Sequence, residues 1–353
     1  MTTTNLYPSS PGARPPGPVS RWIAWASGAY LILMIGYLVI RLLTGDSLWW
    51  VTLLNAFVVY TFAPLFVLLP LLLLTGQWQM FARLGLLALL GVVWFGPFFQ
   101  AKSSGPNTGI PLQVVTYNMH DDRTDLDMLE AWLTDIRVDV LVMQEVPRDY
   151  PGERPALDDL GLTHAVRVAN GLTDMVIISR YPVEVTDEGE RYFRAELDLN
   201  GQPIAVYNVH FSRPILDYDD WRLPSAGNQY INILINYDET LRNQEIRALV
   251  EAVRQETLPY IIAGDFNMSQ HSLIYSDLAV LMDDSFREAA TGLGATWPVF
   301  TDLLPPLIRT HYVWHNTDLA AVEAFNGPRL GSDHLPVFAG LRVPLFEPLE
   351  DPS

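Results

Sequence analysis

Residues 260–267 read Tyr-Ile-Ile-Ala-Gly-Asp-Phe-Asn, a short apolar stretch that ends in a carboxylate, Asp265, and a carboxamide, Asn267. Side chains two apart in extended backbone point the same way, so both can face one ligand. Four other stretches repeat the plan. Val-Val-Thr-Tyr-Asn at 114–118 ends in Asn118, Val-Leu-Val-Met-Gln-Glu at 140–145 in Glu145, and Ile-Ala-Val-Tyr-Asn-Val-His at 204–210 in His210. Gly-Ser-Asp-His at 331–334 stands just before the apolar run 335–341. Ligand sites in layered α/β proteins gather outside the carboxyl ends of strands. Polar, metal-competent residues placed there repeatedly imply one shared pocket. Glu145 is a hard oxygen ligand suited to Mg2+, an ion that takes one or two carboxylates and keeps several waters.

The ordered series Thr-Tyr-Asn-Met-His (116–120), Gln-Glu-Val (144–146), Ile-Ser-Arg-Tyr-Pro (178–182), Asn-Val-His (208–210), Gly-Asp-Phe-Asn (264–267) and Ser-Asp-His (332–334) resembles the endonuclease/exonuclease/phosphatase superfamily over roughly residues 111 to 343. The resemblance implies the deoxyribonuclease I-like fold, a four-layer α/β/β/α sandwich with two mixed β-sheets. It also implies phosphoester hydrolysis, which needs a neutralised phosphate, an activated water and a stabilised leaving oxygen. By the same resemblance Asn118 and Glu145 bind the cofactor, Mg2+ or Mn2+, with Asp333 as an additional ligand. His334 is the general base, a role that suits an imidazole titrating near neutrality. His210 donates to the phosphate, Asp265 orients or deprotonates the attacking water, and Asn267 donates to the transition-state oxygens.

One departure stands out. Where the superfamily has an Arg-Ile-Asp-Tyr-like strand whose Asp pairs with the base histidine, this chain reads Arg309-Thr310-His311-Tyr312. A carboxylate fixes the imidazole tautomer and stabilises its cation; His311 can do the first but hardly the second, and Asp302 or Asp318 is an alternative acid. His120, Asp121, Asp122 and His271 read as solvated turns rather than a separate metal cluster. Asp174 and Arg180 flank the apolar run 175–178 and read as an ion pair on its rim.

The elements that must carry these residues follow a sharp change in composition. Residues 1–103 hold one acidic residue, Asp46, and five basic ones, which leaves 39 acidic against 17 basic residues in 104–353. Such a surface repels polyanions, whereas sequence-independent affinity for DNA comes from Lys and Arg on phosphates; bulk nucleic acid is therefore disfavoured as a partner. There are no cysteines, which excludes disulfides, thiolate zinc sites and a cysteine nucleophile.

Residues 1–20 form a Pro-rich tail too polar to bury a core. The apolar runs 22–43, 48–74 and 81–99 are each near or above the roughly 20 residues that a membrane-crossing helix needs, so 21–100 reads as three transmembrane α-helices. Arg14, Arg21 and Arg83 against Arg41 and Lys102 put the catalytic region outside by the positive-inside rule. A linker follows at 101–109, then the superfamily domain at 110–347 and a tail at 348–353. Leucine and isoleucine spacing predicts helices over 126–133 and 239–256; the 211–237 connection is long enough to be functional or disordered.

The reading that joins these parts is a multi-pass protein of the cell membrane that hydrolyses a phosphate ester or pyrophosphate of a lipid or lipid-linked substrate. It resembles membrane-bound bacterial members of the superfamily. The alternatives are a sphingomyelinase-like phosphodiesterase, an extracytoplasmic nuclease, and a membrane-anchored binding module that kept the fold.

Overall fold

Backbone groups inside an apolar run are satisfied by the helix itself, and the first hundred residues fold accordingly. The computed structural model describes residues 17–100, 108–120, 123–150, 152, 155–170, 173–214, 237–301 and 303–345. Most of the expected Pro-rich tail, of the linker and of the C-terminal tail lies outside them, as does most of the 211–237 connection. The chain forms two compact units, Met1–Leu43 with Val59–Phe95, and Thr44–Val58 with Gly96–Ser353.

In the first unit, α1 (Pro18–Thr44) and α5 (Trp78–Phe95) are each long and apolar enough to cross a membrane. The run 48–74, read from the sequence as one span, is broken. Its pieces Trp49–Ala56 (α2) and Val58–Leu74 are bent by 85°, the second comprising α3 (Val58–Thr61) and α4 (Leu65–Leu74). The chain thus has two candidate spans, or three if the bent pair counts as one. Polar residues explain the break. Asn55 is buried and donates to Asp46 Oδ1 at 2.7 Å, while Asp46 Oδ2 accepts the backbone N–H of Leu273 at 2.7 Å. These bonds hold α2 within the second unit.

The second unit is an α/β fold with two six-stranded sheets. The first has the order β11-β12-β1-β2-β4-β3, from β1 (Ile110–Asn118), β2 (Val140–Val146), β3 (His164–Asn170), β4 (Thr173–Ser179), β11 (Ala320–Asn326) and β12 (Val337–Val343). The second has the order β5-β6-β7-β8-β10-β9, from β5 (Val183–Glu188), β6 (Tyr192–Asp198), β7 (Pro203–His210), β8 (Tyr260–Asp265), β9 (Asp283–Asp284) and β10 (His311–His315). Each sheet is antiparallel except for one central parallel pair, β1–β2 and β7–β8. Val114, Val142 and Ile177 of the first sheet meet Ala195, Val206 and Ile261 of the second in a shared core. Helices α6 (Leu126–Ile136) and α7 (Pro155–Asp159) cover the outer face of the first sheet through Leu129, Leu133 and Leu157. Helices α8 (Thr240–Val253) and α9 (Leu273–Ala279) cover the second through Ile246, Leu249 and Ile274. This is the four-layer α/β/β/α sandwich expected from the sequence. A strand covered on both sides reads as an unbroken apolar run rather than an alternating one, and all seven residues of β2 are buried.

Just below the strand ends, the two sheets are joined by polar bonds. Asn208 of β7 donates to the carbonyls of Met143 on β2 and Val176 on β4, at 2.9 and 3.0 Å, and accepts from Gln144 Nε2 at 2.9 Å. All of these groups are buried. The β2–β4 register shifts between Met143 and Val146, and Asn208 binds the strands at that irregularity. We expect Asn208→Leu to leave two carbonyls and the Gln144 amide without this partner, at about 1–3 kcal/mol for each buried group. Its melting temperature should fall by on the order of 10 °C, given about 2–4 °C per kcal/mol in a unit of this size. Near-UV circular dichroism of the full chain in detergent measures it, and unchanged melting would show that the bridge is dispensable.

Candidate active site

Strand register brings the site together. In the parallel pair β7–β8, His210 lies opposite Asp265, and in the antiparallel pair β8–β10 His311 lies opposite the same Asp265. One row of the second sheet therefore carries all three. In the first sheet Asn118 lies opposite Gln144, one residue before Glu145. Asn118 Nδ2 is 3.2 Å from both Glu145 Oε1 and Asp265 Oδ2, so a single buried amide links the two sheets across the site. The turn before β12 adds His334, whose Nε2 is 3.8 Å from Asp265 Oδ2 and 3.7 Å from Asp333 Oδ1. Every strand-end residue singled out in the sequence converges here.

Local backbone geometry aims them. Glu145 and Asn267 both have φ of 49°, and His120 has φ of 53°; a left-handed conformation is strained in a non-glycine residue and marks functional sites when the surroundings enforce it. At Glu145 the irregularity in β2 supplies the turn. At Asn267, Arg242 Nη1 donates to the backbone carbonyl at 2.6 Å, Asp265 Oδ1 accepts the N–H at 3.0 Å, and the side-chain amide donates to the Phe211 carbonyl at 2.8 Å. Gly264 lets β7 and β8 approach this closely, because a Cβ there would stand 2.0 Å from the Val209 carbonyl oxygen.

The electrostatics favour ionised acids. Burial opposes the charge of Glu145, but His210 Nε2 and Arg213 Nη2, each 3.4 Å from its Oε1, hold its carboxyl well below the usual carboxylate range. Burial likewise opposes Asp333, and His334 and His120 keep it low. His311 is fully buried, and burial pushes its imidazole down to about 3, so it is neutral where an enzyme of neutral pH works. Its ring lies 4.9 Å from that of His334. Among the described residues, His311 Nε2, His334 Nδ1 and His210 Nδ1 are buried without a hydrogen-bond partner. Such groups are rare in native structures, and three of those among the described residues belong to imidazoles of this one site. Ligand atoms of Asp265, His311 and His334 also lie within 4.8 Å of one another, a mixed set able to hold a cation.

Several expectations need correction. His120 is not a solvated turn: its Nδ1 pairs with Asp333 Oδ1 and it lines the cleft with Asp333 and His334. Asp121 and Asp122 lie outside the described residues. His271 is buried against Phe98, 5.6 Å between ring centroids. Asp318 is no partner for His334, since it accepts from Asn316 in the exposed turn between β10 and β11; Asp302 lies outside the described residues. Asp174 and Arg180 do not pair with each other but with Arg167 and Asp139 respectively. Among the cleft residues that escaped the sequence reading are Arg213 and Trp297, whose indole N–H donates to Asp333 Oδ2 at 3.3 Å. Arg213 follows His210 by three residues, a usable signal; Trp297 stands in a loop with nothing to mark it.

Two solved structures share the fold. The endonuclease/exonuclease/phosphatase from Bacteroides vulgatus is 17% identical, with a TM-score of 0.52 over 66% of this chain and 99% of that one. The endonuclease/exonuclease/phosphatase from Beutenbergia cavernae is 21% identical, with a TM-score of 0.50 over 66% and 72%. Comparison with curated proteins gave no match. The model of the Endonuclease/Exonuclease/phosphatase family matches residues 115–334, from within β1 to His334 and so across every strand-end residue described above, and the chain belongs to this family of phosphoester hydrolases.

Proposed function

We propose that the chain is a membrane-anchored, Mg2+-dependent phosphohydrolase acting on a phosphate ester or pyrophosphate of a lipid or lipid-linked molecule. The observation that carries the lipid reading is the composition of the cleft. Beside Asn267, Asp333 and His334 it is lined by Ala56 and Phe57, with Pro214 and Ile308. Ala56 and Phe57 belong to the stretch Thr44–Val58, which packs within the α/β unit yet lies in sequence between apolar helices. The Ala56 carbonyl accepts from Ser269 Oγ at 3.3 Å, which fixes this wall to the loop after Asn267. A phosphate carrying an apolar group fits polar and apolar walls set side by side. The acid surplus of residues 104–353 argues against a polyanion.

The chemistry assigned to each residue follows its surroundings. His334 takes the proton of the attacking water, and the carboxylates of Asp333 and Asp265 near its Nε2 stabilise the imidazolium that forms. His210, Asn267 and Arg213 supply donors for the phosphoryl oxygens. The family is generally dependent on a divalent metal, and the buried, ionised Glu145 beside the Asn118 amide fits a hard cation. These two residues would hold it, and Mg2+ there supplies neutralisation of the phosphate and of the leaving oxygen. Asp333, already engaged by His120 and Trp297, fits the role of neighbour to the base better than that of a direct ligand.

A panel of lipid phosphates, lipid pyrophosphates and phospholipids, with bis-p-nitrophenyl phosphate as a soluble control and with or without EDTA, tests the proposal. Lipid monoester or pyrophosphate substrates should be turned over and lost with EDTA, and Glu145→Gln should abolish that turnover while the fold survives. Hydrolysis of oligonucleotides alone would reject the lipid reading, and full activity of Glu145→Gln would reject the metal assignment.

His311→Asp should raise turnover by about threefold to tenfold, a part of the hundredfold to ten-thousandfold that general base assistance contributes. A carboxylate there would stand beside the His334 ring, which lies 4.9 Å from that of His311 and whose Nδ1 has no hydrogen-bond partner. It should also move the acid limb of the pH–rate profile to higher pH, since a carboxylate raises the pKa of the imidazole and the base acts only when deprotonated. Loss of activity with circular dichroism intact would instead give His311 a role of its own, as a phosphate donor or metal ligand.

The catalytic region is proposed to face outward, because Arg14, Arg21 and Arg83 fall on the opposite side from Arg41 and Lys102 when three spans are counted. Proteolysis of intact cells should remove it, and full protection would reverse the orientation.

A further inference from the structure

One wall of the cleft continues into a loop whose surface is apolar. The described residues 297–301 and 303–308 belong to a loop closed at its ends, with Trp297 N donating to the Ile308 carbonyl at 3.0 Å and Ile308 N to the Trp297 carbonyl at 2.8 Å. Both ends line the cleft. Between them Leu303 is 92% exposed and Leu304 56%, flanked by the exposed Phe300 and Leu307. Nine large hydrophobic residues are exposed among the described residues from 108 to 345, and these are four of them. Single exposed apolar residues need no explanation, but a contiguous patch marks a binding surface.

The loop is held in this shape rather than left loose. Arg329 donates to the Leu304 carbonyl at 2.7 Å and also to the Thr301 carbonyl, and Val299 N donates to the Asp333 carbonyl at 2.8 Å. The last bond ties its base to the residue next to His334. A loop of this length with paired ends is a compact surface device of the kind that carries function.

We infer that this loop docks on a lipid surface, sinking Leu303 and Leu304 among the acyl chains and setting the mouth of the cleft against the bilayer. Continuity identifies the occupant. The loop's end residues Trp297 and Ile308 share the cleft with Ala56 and Phe57, which lie in sequence between the apolar helices, so the patch extends a wall made by the stretch that joins those helices. Charge sets the mode of contact. With 39 acidic against 17 basic residues in 104–353, the net charge works against attraction to anionic headgroups, and burial of the leucines is the driving force we assign. The consequence for catalysis rests on the lipid reading above; the docking itself does not.

The chain has no cysteine, so single labels report one position each. Leu303→Cys, Leu304→Cys and, as control, Asn200→Cys in the exposed turn before β7, at the opposite end of that strand from His210, would each be labelled with an environment-sensitive fluorophore. The full chain is then placed in phosphatidylcholine vesicles containing nitroxide-labelled lipid. Labels at 303 and 304 should be quenched and blue-shifted, and the label at 200 should not. Water-exposed labels at 303 and 304 would overturn the inference and leave the patch as a surface for a protein partner. In a second arm, the paired change Leu303→Asp with Leu304→Asp should lower turnover of a lipid phosphate presented in vesicles by about tenfold, with hydrolysis of bis-p-nitrophenyl phosphate unchanged. An equal loss on both substrates would overturn the link to the site. Quenching without turnover of any lipid phosphate would support docking and reject the substrate reading, so the two failures are distinguishable.

Discussion

The site rests on the amide of Asn208. Two stacked sheets are held mainly by apolar contact, which is non-directional and tolerates sliding. Hydrogen bonds from Asn208 to the carbonyls of Met143 and Val176 remove that freedom at one point. That point lies two residues from His210 on one strand and two from Glu145 on another. A shift of an ångström between sheets would separate Asn118 from Asp265, which are 3.2 Å apart and belong to different sheets. A fully satisfied buried polar network of this kind specifies one arrangement where a purely apolar core would accept several.

With the sheets fixed, the next constraint is the backbone. Glu145 and Asn267 turn out of their strands through left-handed conformations, each of which costs of order 1–3 kcal/mol and persists only where the surroundings over-determine it. The surroundings are visible at Asn267, where Arg242, Asp265 and Phe211 each take one polar group of the residue. Arg242 is itself buried against Glu239 at 2.7 Å, so a charged pair at the start of helix α8 is committed to holding a loop of the candidate site. Helix α8 thus has two tasks, covering the second sheet and positioning Asn267.

Much of this was legible in the sequence because it lies at strand ends. A run of apolar residues closing in Asn118, Glu145, His210 or Asp265 shows both the strand and its polar tip, and those residues meet in the structure. What could not be read depends on contacts distant in sequence. His120 looks like part of a solvated turn until the chain returns 213 residues later with Asp333. Trp297 acquires its role only through that same carboxylate. The break in the second apolar run was hidden for a similar reason: hydropathy sees an uninterrupted stretch, whereas Asp46, which accepts from Asn55, also accepts the backbone N–H of Leu273, more than two hundred residues away. Apolar content fixed the presence of helices, and a few polar groups decided where one of them bends.

An acidic unit that handles phosphates has to separate long-range from short-range electrostatics. Exposed charges are screened beyond about 8 Å at physiological ionic strength, so the acid surplus acts mainly by failing to attract a free polyanion, not by spoiling the cleft. Within the cleft, Arg213, His210 and His334 surround Glu145 and Asp265 at 3.4 to 3.8 Å, and a divalent cation on Glu145 would add positive charge where a phosphoryl group sits. A substrate in solution would need electrostatic steering to reach such a site quickly. On the reading proposed above, a substrate confined to the same bilayer as the enzyme would need none, because anchoring both would raise their effective concentration. The charge distribution of this chain is therefore poorly arranged for capturing nucleic acid from solution, and this is one of the supports for the proposal that its phosphate is delivered by a membrane.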